Sequence, residues 1–191
     1  KTILNGGNYS TECVRNPKDW IYYGTDLRFL KGLLTKYGDP AVDMSTFPFS
    51  GVLYHKFYLR YIKKISVERP LNSFRYIKSE AIQKLNELYG WKPYPQKHFE
   101  SRFTKFYEGW WMPERFGYDT RRVQYSSLIL TGQMQRDRAL TELRKPSYPA
   151  DEAKRDFDYV ADKLEITSSE LQEYFKAPKK SYKDYKNQET L

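Results

Sequence analysis

The 191-residue sequence contains a single cysteine, Cys13, which excludes an internal disulfide and a site with several thiolate ligands. Only two histidines, His55 and His98, are present, and His98 with Glu100 lacks the third ligand that a zinc site needs. No run of about 18 apolar residues occurs, and the first residues lack a signal-peptide pattern. These absences favour a reduced, cytoplasmic setting with no metal centre.

Aromatic residues and positive charge are abundant. The sequence has 18 Tyr and 11 Phe, and aromatics make up 17% of it, enough to build a core and to exclude global disorder. Lys and Arg number 33 against 24 Asp and Glu, a net charge of +9. This excess favours an anionic partner, which could be nucleic acid, a membrane surface or a phosphorylated small molecule.

Apolar spacing predicts a mainly α chain. In the first half we expect helices over 19–37, 52–65 and 80–89, with Ser79 as the N-cap of the last and Gly90 ending it. Residues 1–5 read as a strand that runs into the Gly6-Gly7 turn. We expect this strand to find no partner within the chain.

The second half is predicted to be helical over 99–111, 121–130, 135–143, 151–164 and 168–175. Pro113 should end the first of these helices, whose Phe103, Phe106 and Trp110 should face the core. Thr167 and Glu170 form the pattern of a capping box. Residues beyond Lys176 are strongly charged and are expected to fray.

Several short blocks carry a family resemblance. They are Asn5-Gly6-Gly7-Asn8-Tyr9-Ser10-Thr11-Glu12, Lys97-His98-Phe99-Glu100-Ser101, Arg115-Phe116-Gly117-Tyr118-Asp119, Arg121-Arg122, Ser126-Ser127-Leu128-Ile129 and Gly132-Gln133 with Arg136. In order and spacing they resemble the C-terminal part of the N-acetyl sugar amidotransferases. These are WbpG-like lipopolysaccharide (LPS) biosynthesis proteins of the PP-loop ATPase superfamily.

The resemblance implies a helical C-terminal domain of a PP-loop (adenine nucleotide α-hydrolase-like) enzyme. Residues 1–16 would be a remnant of the α/β domain, residues 17–178 the helical domain, and residues 179–191 a charged tail. The S-G-G-x-D-S-type loop that binds ATP in this superfamily is absent. We therefore expect the chain to be the C-terminal portion of a longer bacterial enzyme and to be inactive alone, with ATP and Mg²⁺ bound in the full-length protein.

The implied reaction turns an acetamido group of an acidic, nucleotide-linked N-acetyl sugar into an acetamidino group during O-antigen or surface polysaccharide biosynthesis. In this class ATP activates the carbonyl oxygen, and ammonia then displaces AMP. Cations must lie where negative charge develops. Lys97 is the candidate cation, His98 the candidate base, and Glu100 the third candidate catalytic residue in this block.

Further residues are assigned to substrate and cofactor. Arginine side chains match carboxylate and phosphate geometry, and Asp119 can orient one of them or bind a sugar hydroxyl. The substrate-binding candidates are Arg115, Asp119, Arg121, Arg122 and Ser126; an inter-helix ion-pair cluster explains the charged ones equally well. The cofactor-binding candidates are Gly6, Gly7, Asn8 and Glu12.

The resemblance implies a separate glutaminase, similar to the HisH/HisF pair, as the source of ammonia. It implies neither a membrane nor a nucleic acid as partner. Two alternatives remain open from the residues. One is a basic helical RNA-binding domain of a PP-loop tRNA-modifying enzyme, and the other is a scaffold that docks the glutaminase without touching substrate.

Overall fold

The computed structural model describes residues 1–189, and its 53% helix content confirms the predicted mainly α class. The α-helices and strands in chain order are β1 (Thr2–Leu4), α1 (Tyr9–Glu12), α2 (Leu27–Tyr37), β2 (Ser66–Glu68), α3 (Lys78–Tyr89), α4 (Arg102–Phe106), α5 (Met112–Phe116), α6 (Arg121–Leu130), α7 (Arg136–Arg144), α8 (Ala150–Lys163) and α9 (Ser168–Lys176). Two π-helices, π1 (Tyr54–Ile62) and π2 (Tyr107–Trp111), and two 3₁₀ turns, Pro70–Asn72 and Tyr182–Asp184, complete the elements of this range.

The chain forms two compact units. Among the described residues, the first unit contains 1–6, 17–70 and 179–189, and the second contains 7–16 and 71–178. The chain thus passes between the units after residues 6, 16, 70 and 178. The assignment of those segments to a PP-loop remnant, a helical domain and a tail stays a prediction.

In the first unit, β1 pairs in parallel with β2, with Ile3 opposite Val67. The amide of Asn5 donates to the carbonyl of Glu68 at 2.9 Å and extends the ladder. The expectation of an unpaired first strand is therefore wrong. The segment 66–68 lacks the length and alternation that mark a strand in sequence, and only its distant partner makes it one.

Helix α2 begins eight residues later than predicted for this segment, at Leu27 instead of Asp19. Asp26 causes this, because its carboxylate accepts the amides of Arg28 and Phe29 at 2.9 and 3.1 Å and caps the helix. The same buried carboxylate accepts the amide of Gln188 at 2.7 Å. Residues near the end of the described chain therefore pack on α2.

The last described residues do not fray as expected. Ser181 and Asp184 form a capping box around a 3₁₀ turn. The Asn187 side chain is fully buried and donates to the carbonyls of Tyr182 and Tyr185. The ring of Tyr182 stacks on Tyr22 with centroids 4.3 Å apart. These contacts offset the repulsion among the lysines of this segment.

In the second unit, the aromatic helix runs from α4 through π2 into α5, past Pro113 to Phe116. The predicted stop at Pro113 is wrong. Proline has no amide to bond the carbonyl four residues back, that of Gly109, and this carbonyl instead accepts the Ser147 hydroxyl. The wider π turn directly before Pro113 also relieves the clash of its ring. Gly117, with φ +75°, ends the helix.

The core of this unit lies between the aromatic helix, α8 and α9. Phe106, Val160, Ala161 and Leu171 are buried there, and Trp110 and Trp111 pack against them. Phe106 is thus inside as predicted and Trp110 half-buried, but Phe103 is 52% exposed. Phe103 lies in the first turn of α4, and its ring stacks on Tyr107 with centroids 6.1 Å apart instead of entering the core.

The remaining helices of this unit follow the sequence closely. Helices α6 to α9 lie within two residues of their predicted bounds, and the capping box of Thr167 and Glu170 is present. Helix α3 begins at Lys78, so Ser79 is not its N-cap. The Gln133 side chain, from a distant part of the same unit, accepts a hydrogen bond from the Lys78 amide at 2.9 Å and so caps this helix.

Candidate functional site

A cleft of about 270 Å³ opens in the second unit. Its lining combines charged side chains with hydroxyl and amide groups. The lining residues are Thr11, Glu12, Val14, Arg15, Asn16, Lys97, His98, Glu108, Thr120, Val123, Gln124 and Ser127. The residues after α1, the loop before α4, the π2 turn and α6 all contribute to it.

The end of helix α6 holds α1 in place at the cleft. Thr131 Oγ1 and Gln133 Nε2 each donate to the carbonyl of Ser10 at 2.8 Å. The fully buried Ser127 accepts the amide of Val14 at 3.0 Å. The Gly132-Gln133 turn therefore has a positioning function, since it fixes the helix that ends in Glu12.

Lys97 forms an ion pair with Glu12 across the cleft. Burial opposes ionisation of Glu12, but the Lys97 hydrogen bond and charge, the Asn8 backbone and the charge of His98 outweigh it and lower the Glu12 pKa. The loop that carries Lys97 is fixed by Gln96, whose side chain donates to the Ser147 carbonyl at 2.7 Å. The structure thus joins a predicted catalytic residue to a predicted cofactor-binding residue.

His98 lies beside Lys97 in a left-handed backbone conformation, with φ +68°. Such a φ is uncommon for a residue with a β-carbon and costs about 1 kcal/mol or more, so the surrounding turn must impose it. The imidazole Nδ1 lies 3.9 Å from the Glu100 carboxylate. Glu100 is exposed and does not line the cleft.

Glu108 is a cleft residue that the sequence reasoning did not single out. It stands on the π2 turn, where one carboxylate occurs among the aromatic residues of Phe106-Tyr107-Glu108-Gly109-Trp110-Trp111. Burial raises the Glu108 pKa, and the charge of Glu100 adds to the shift, whereas His98 and Lys97 oppose it. The signal that could have identified it is this lone acid in an aromatic helix.

Asp119 and Arg121 form an ion pair on either side of the cleft residue Thr120 in the sequence. The guanidinium binds both Asp119 oxygens, with Nη2 to Oδ2 at 2.7 Å and Nε to Oδ1 at 3.0 Å. Its Nη1 donates to the carbonyls of Glu142 and Lys145 at 3.2 and 3.0 Å. Arg121 is only 6% exposed, so this geometry matches the inter-helix alternative, and a substrate role for the pair stays a prediction.

The other substrate candidates lie apart from the cleft lining. Arg115 donates to the carbonyl of Ala177 at 2.9 Å, near the end of α9. Arg122 is exposed, and the Ser126 hydroxyl donates to its carbonyl at 2.7 Å within α6. The serine that lines the cleft is the next residue, Ser127.

Within the Gly6-Gly7-Asn8 turn before α1, Asn8 has a structural role. Asn8 caps α1, because its side chain accepts the Thr11 amide and hydroxyl at 2.9 and 3.1 Å. A β-carbon at Gly6 would meet no atom within 4 Å. Of the four cofactor candidates, Gly6, Gly7, Asn8 and Glu12, only Glu12 lines the cleft.

Two kinds of site were also sought along residues 1–189. No cluster of three or more His, Cys, Asp or Glu in this range is arranged to hold a metal ion. None of the helices described here has the length and apolar character needed to span a membrane.

Fold and cleft together define a mainly α domain with a small, charged cleft. Residues 100–191 match the sequence model of a family described as the C-terminal domain of WbpG-like LPS biosynthesis proteins. Residues 100–191 are therefore similar to that domain, and this similarity supports a role in LPS biosynthesis. A search of curated proteins and a search of solved structures each found no match.

Proposed function

We propose that the chain is the C-terminal part of an ATP-dependent amidotransferase that converts the acetamido group of an acidic, nucleotide-linked N-acetyl sugar to an acetamidino group. The observation that supports this most is the cleft, which gathers Lys97, His98, Glu12 and Glu108. The part of the lining formed by π2 and α6 belongs to the segment that matches the WbpG-like family.

The cleft suits the reacting end of such a substrate. Its volume of about 270 Å³ lies below the range of roughly 300–1,000 Å³ that holds a drug-sized ligand, but it can admit an acetamido group. Lys97 and Arg15 provide cations, and Thr120 and Gln124 provide hydrogen-bonding groups. Cations fixed by neighbours stabilise the oxyanion that forms when the amide carbonyl is attacked.

The two carboxylates of the cleft differ in their surroundings and suit different roles. Glu12 is held ionised by Lys97 and acts as its positioning partner. Glu108 has a raised pKa and takes up a proton more readily, so it suits the base that removes a proton from the attacking nitrogen. Loss of protons from that nitrogen is needed because ammonia must become the neutral second nitrogen of the amidine.

The cleft fits only part of ATP. Lys97 and Arg15 would contact phosphate oxygens, whereas the oxygen donors for Mg²⁺ would come from other residues of the full-length enzyme, because Glu12 pairs with Lys97 and Glu108 serves as the base. The volume leaves no room for a nucleoside beside the acetamido group. When bound, ATP makes the amide oxygen a leaving group. We propose that other residues of the full-length enzyme bind its nucleoside and that a separate glutaminase supplies the ammonia.

Replacing Lys97 tests this function in an enzyme that contains the chain, with ammonium salts as the nitrogen source so that no glutaminase is needed. Lys97→Ala should lower kcat for acetamidine formation by about 10²–10³, with little change in KM, because the charge contact acts in the transition state. Lys92→Ala, at an exposed lysine outside the cleft, is the control. Near-normal turnover by a folded Lys97→Ala enzyme would refute the catalytic role, and absence of amidine formation by the wild type would refute the function.

The same assay tests Glu108 through its pH dependence. A base works in its ionised form, so kcat of the wild type should fall as the pH drops below the raised pKa of Glu108. Glu108→Gln should lower kcat by about 10²–10⁴ and remove this acidic limb of the profile. Glu114→Gln, at an exposed carboxylate of α5, should leave both unchanged. An unchanged profile in Glu108→Gln would assign the base to another group, with His98 the next candidate.

A further inference from the structure

The π1 helix of the first unit exposes a stripe of large apolar side chains. In a π-helix a turn holds slightly more than four residues, so side chains four apart lie almost one above another. Phe57 and Tyr61 accordingly pack against each other along the helix in a tilted arrangement, with ring centroids 5.4 Å apart, and Tyr54 stacks on Tyr58 at 5.1 Å. The exposed members of the stripe are Leu53 at 82%, Tyr54 at 44%, Phe57 at 57%, Tyr61 at 59% and Ile62 at 58%.

Basic side chains occupy the adjoining side of the same helix. Lys56, Arg60 and Lys64 are also spaced by four, and with His55 they line an open groove of about 910 Å³. Arg60 and Lys63 lie over the rings of Tyr61 and Tyr58 at 5.5 and 5.6 Å, where the basic side borders the apolar stripe. From Met44 to Val67 the sequence contains no Asp or Glu. The surface is therefore apolar on one side and cationic beside it.

This combination favours a lipid surface over the other anionic partners. Stacking platforms for nucleic acid use rings, and the aliphatic Leu53 and Ile62 offer no ring face to a base. A second copy of the chain would bring two predominantly cationic surfaces together, each with Glu68 as the one carboxylate of its groove, and electrostatic repulsion opposes this. Amphipathic helices that lie in a bilayer interface carry this pattern of apolar stripe and flanking lysines.

We propose that the face formed by Leu53, Phe57, Tyr61 and the flanking Lys56, Arg60 and Lys64 docks on an anionic membrane surface. The apolar side chains enter the headgroup region, and the cations contact lipid phosphates in the groove beside β2. This attachment is peripheral and reversible, because a single short helix buries little apolar surface. It is independent of the proposed amidotransferase function.

The test is sedimentation of the 191-residue chain with vesicles of phosphatidylcholine, with or without phosphatidylglycerol. The chain should sediment with the anionic vesicles, remain in solution with neutral ones, and be released as the salt concentration rises. Equal binding to both compositions, or no binding to anionic vesicles, would overturn the proposal without any variant.

Charge and apolar variants locate the surface. Lys56→Glu with Arg60→Glu should reduce partitioning to anionic vesicles by about tenfold or more, since each cation near such a surface contributes separately. Leu53→Ser with Phe57→Ser should reduce it by a similar factor of about ten through lost apolar burial. Lys84→Glu with Lys154→Glu makes the same change in net charge at exposed residues of α3 and α8 and is the control. Circular dichroism verifies that each variant is folded. An equal loss of vesicle binding in the control would show that the π1 face is not the membrane-binding surface.

Two further measurements separate other occupants. Fluorescence anisotropy with labelled single-stranded RNA tests a nucleic-acid partner. We expect Lys56→Glu with Arg60→Glu to leave any RNA binding unchanged. If these substitutions abolish RNA binding, the face is a nucleic-acid surface and the proposal fails. A longer natural protein that contains this chain should bind the same vesicles. Binding by the short chain alone would mean that other residues of that protein cover the face, which also overturns the proposal.

Discussion

At the scale of single residues, Arg121 is the side chain whose environment differs most from what its neighbours in the sequence suggest. In the sequence it stands next to Arg122, and two adjacent arginines suggest a site that binds an anionic substrate. Its guanidinium is instead buried and bonded to Asp119 and to the carbonyls of Glu142 and Lys145. These contacts tie the start of α6 to the end of α7.

Arg121→Ala is therefore expected to lower the free energy of unfolding by about 3–5 kcal/mol, because the half-buried Asp119 carboxylate and two carbonyls lose their partner. Arg122→Ala, at the neighbouring exposed position, should change it by less than about 0.5 kcal/mol. Urea unfolding followed by circular dichroism measures both. A stable Arg121→Ala protein with impaired sugar binding would instead favour the substrate role first expected for this residue.

At the scale of elements, the path of the aromatic helix depends on Gly109. A β-carbon at this position would lie 2.9 Å from Phe99 Cζ and 3.1 Å from Tyr148 Cδ2. The absent side chain lets the loop that carries Lys97 and the segment before α8 pack closely against π2. The geometry of the cleft therefore depends on a glycine within a helix.

Gly109→Ala should destabilise the protein by about 1–3 kcal/mol through overpacking, although alanine favours helix by about 1 kcal/mol. Gly32→Ala in α2 is the matched control, because its β-carbon would meet only the Lys186 backbone oxygen at 3.9 Å and the Lys186 β-carbon at 4.0 Å. It should raise stability by about 0.5–1 kcal/mol. Thermal unfolding compares the two, and a stabilised Gly109→Ala variant would contradict this description of the packing.

At the scale of the whole molecule, each unit contains a buried aspartate that must stay ionised. Asp26 is opposed by burial, but the amides of Gln188, Phe29 and Arg28 and the Tyr22 hydroxyl lower its pKa. Burial likewise opposes ionisation of Asp156, and the Tyr148 hydroxyl with Arg102 and Lys105 lowers the pKa. A carboxyl group whose pKa is lowered by folding stabilises the folded state when the pH is above its unfolded pKa of about 3.9. This contribution is lost as the pH falls through the lowered pKa of the folded state. Both units should therefore lose stability in acid.

Asp156→Asn tests this in the second unit. At neutral pH it should lower the free energy of unfolding by about 1.5–3 kcal/mol, since the charged hydrogen bonds with Arg102 and Lys105 are lost. The difference from wild type should shrink as the pH falls through the lowered pKa of Asp156, where the wild-type carboxyl also becomes protonated. Asp162→Asn, at an exposed position on the same helix, is the control. Urea midpoints across this pH range give the result, and a constant difference would show that the network acts by packing rather than charge.

Local interactions account for the parts of the fold that the sequence predicted well. The capping box of Thr167 and Glu170 and the left-handed Gly90 each depend on neighbours within a few residues, and the predicted helix ends there agree with the structure. The bounds of α6 follow equally from its own apolar spacing. The blocks around Lys97 and Gly132-Gln133 also identified the family that the match of residues 100–191 supports.

Long-range contacts decided the rest. The pairing of Ile3 with Val67 and the packing of Gln188 on Asp26 depend on residues far apart in the chain. The cleft arises in the same way, because Glu12, Lys97 and Glu108 meet only after α6 positions α1 and Gly109 admits the neighbouring loop. The sequence by itself therefore determined the helical class, most helix ends in the second half and the resemblance to the WbpG-like family. Only the tertiary structure decided which charged residues line the cleft and which hold helices together, since that depends on partners that no local pattern specifies.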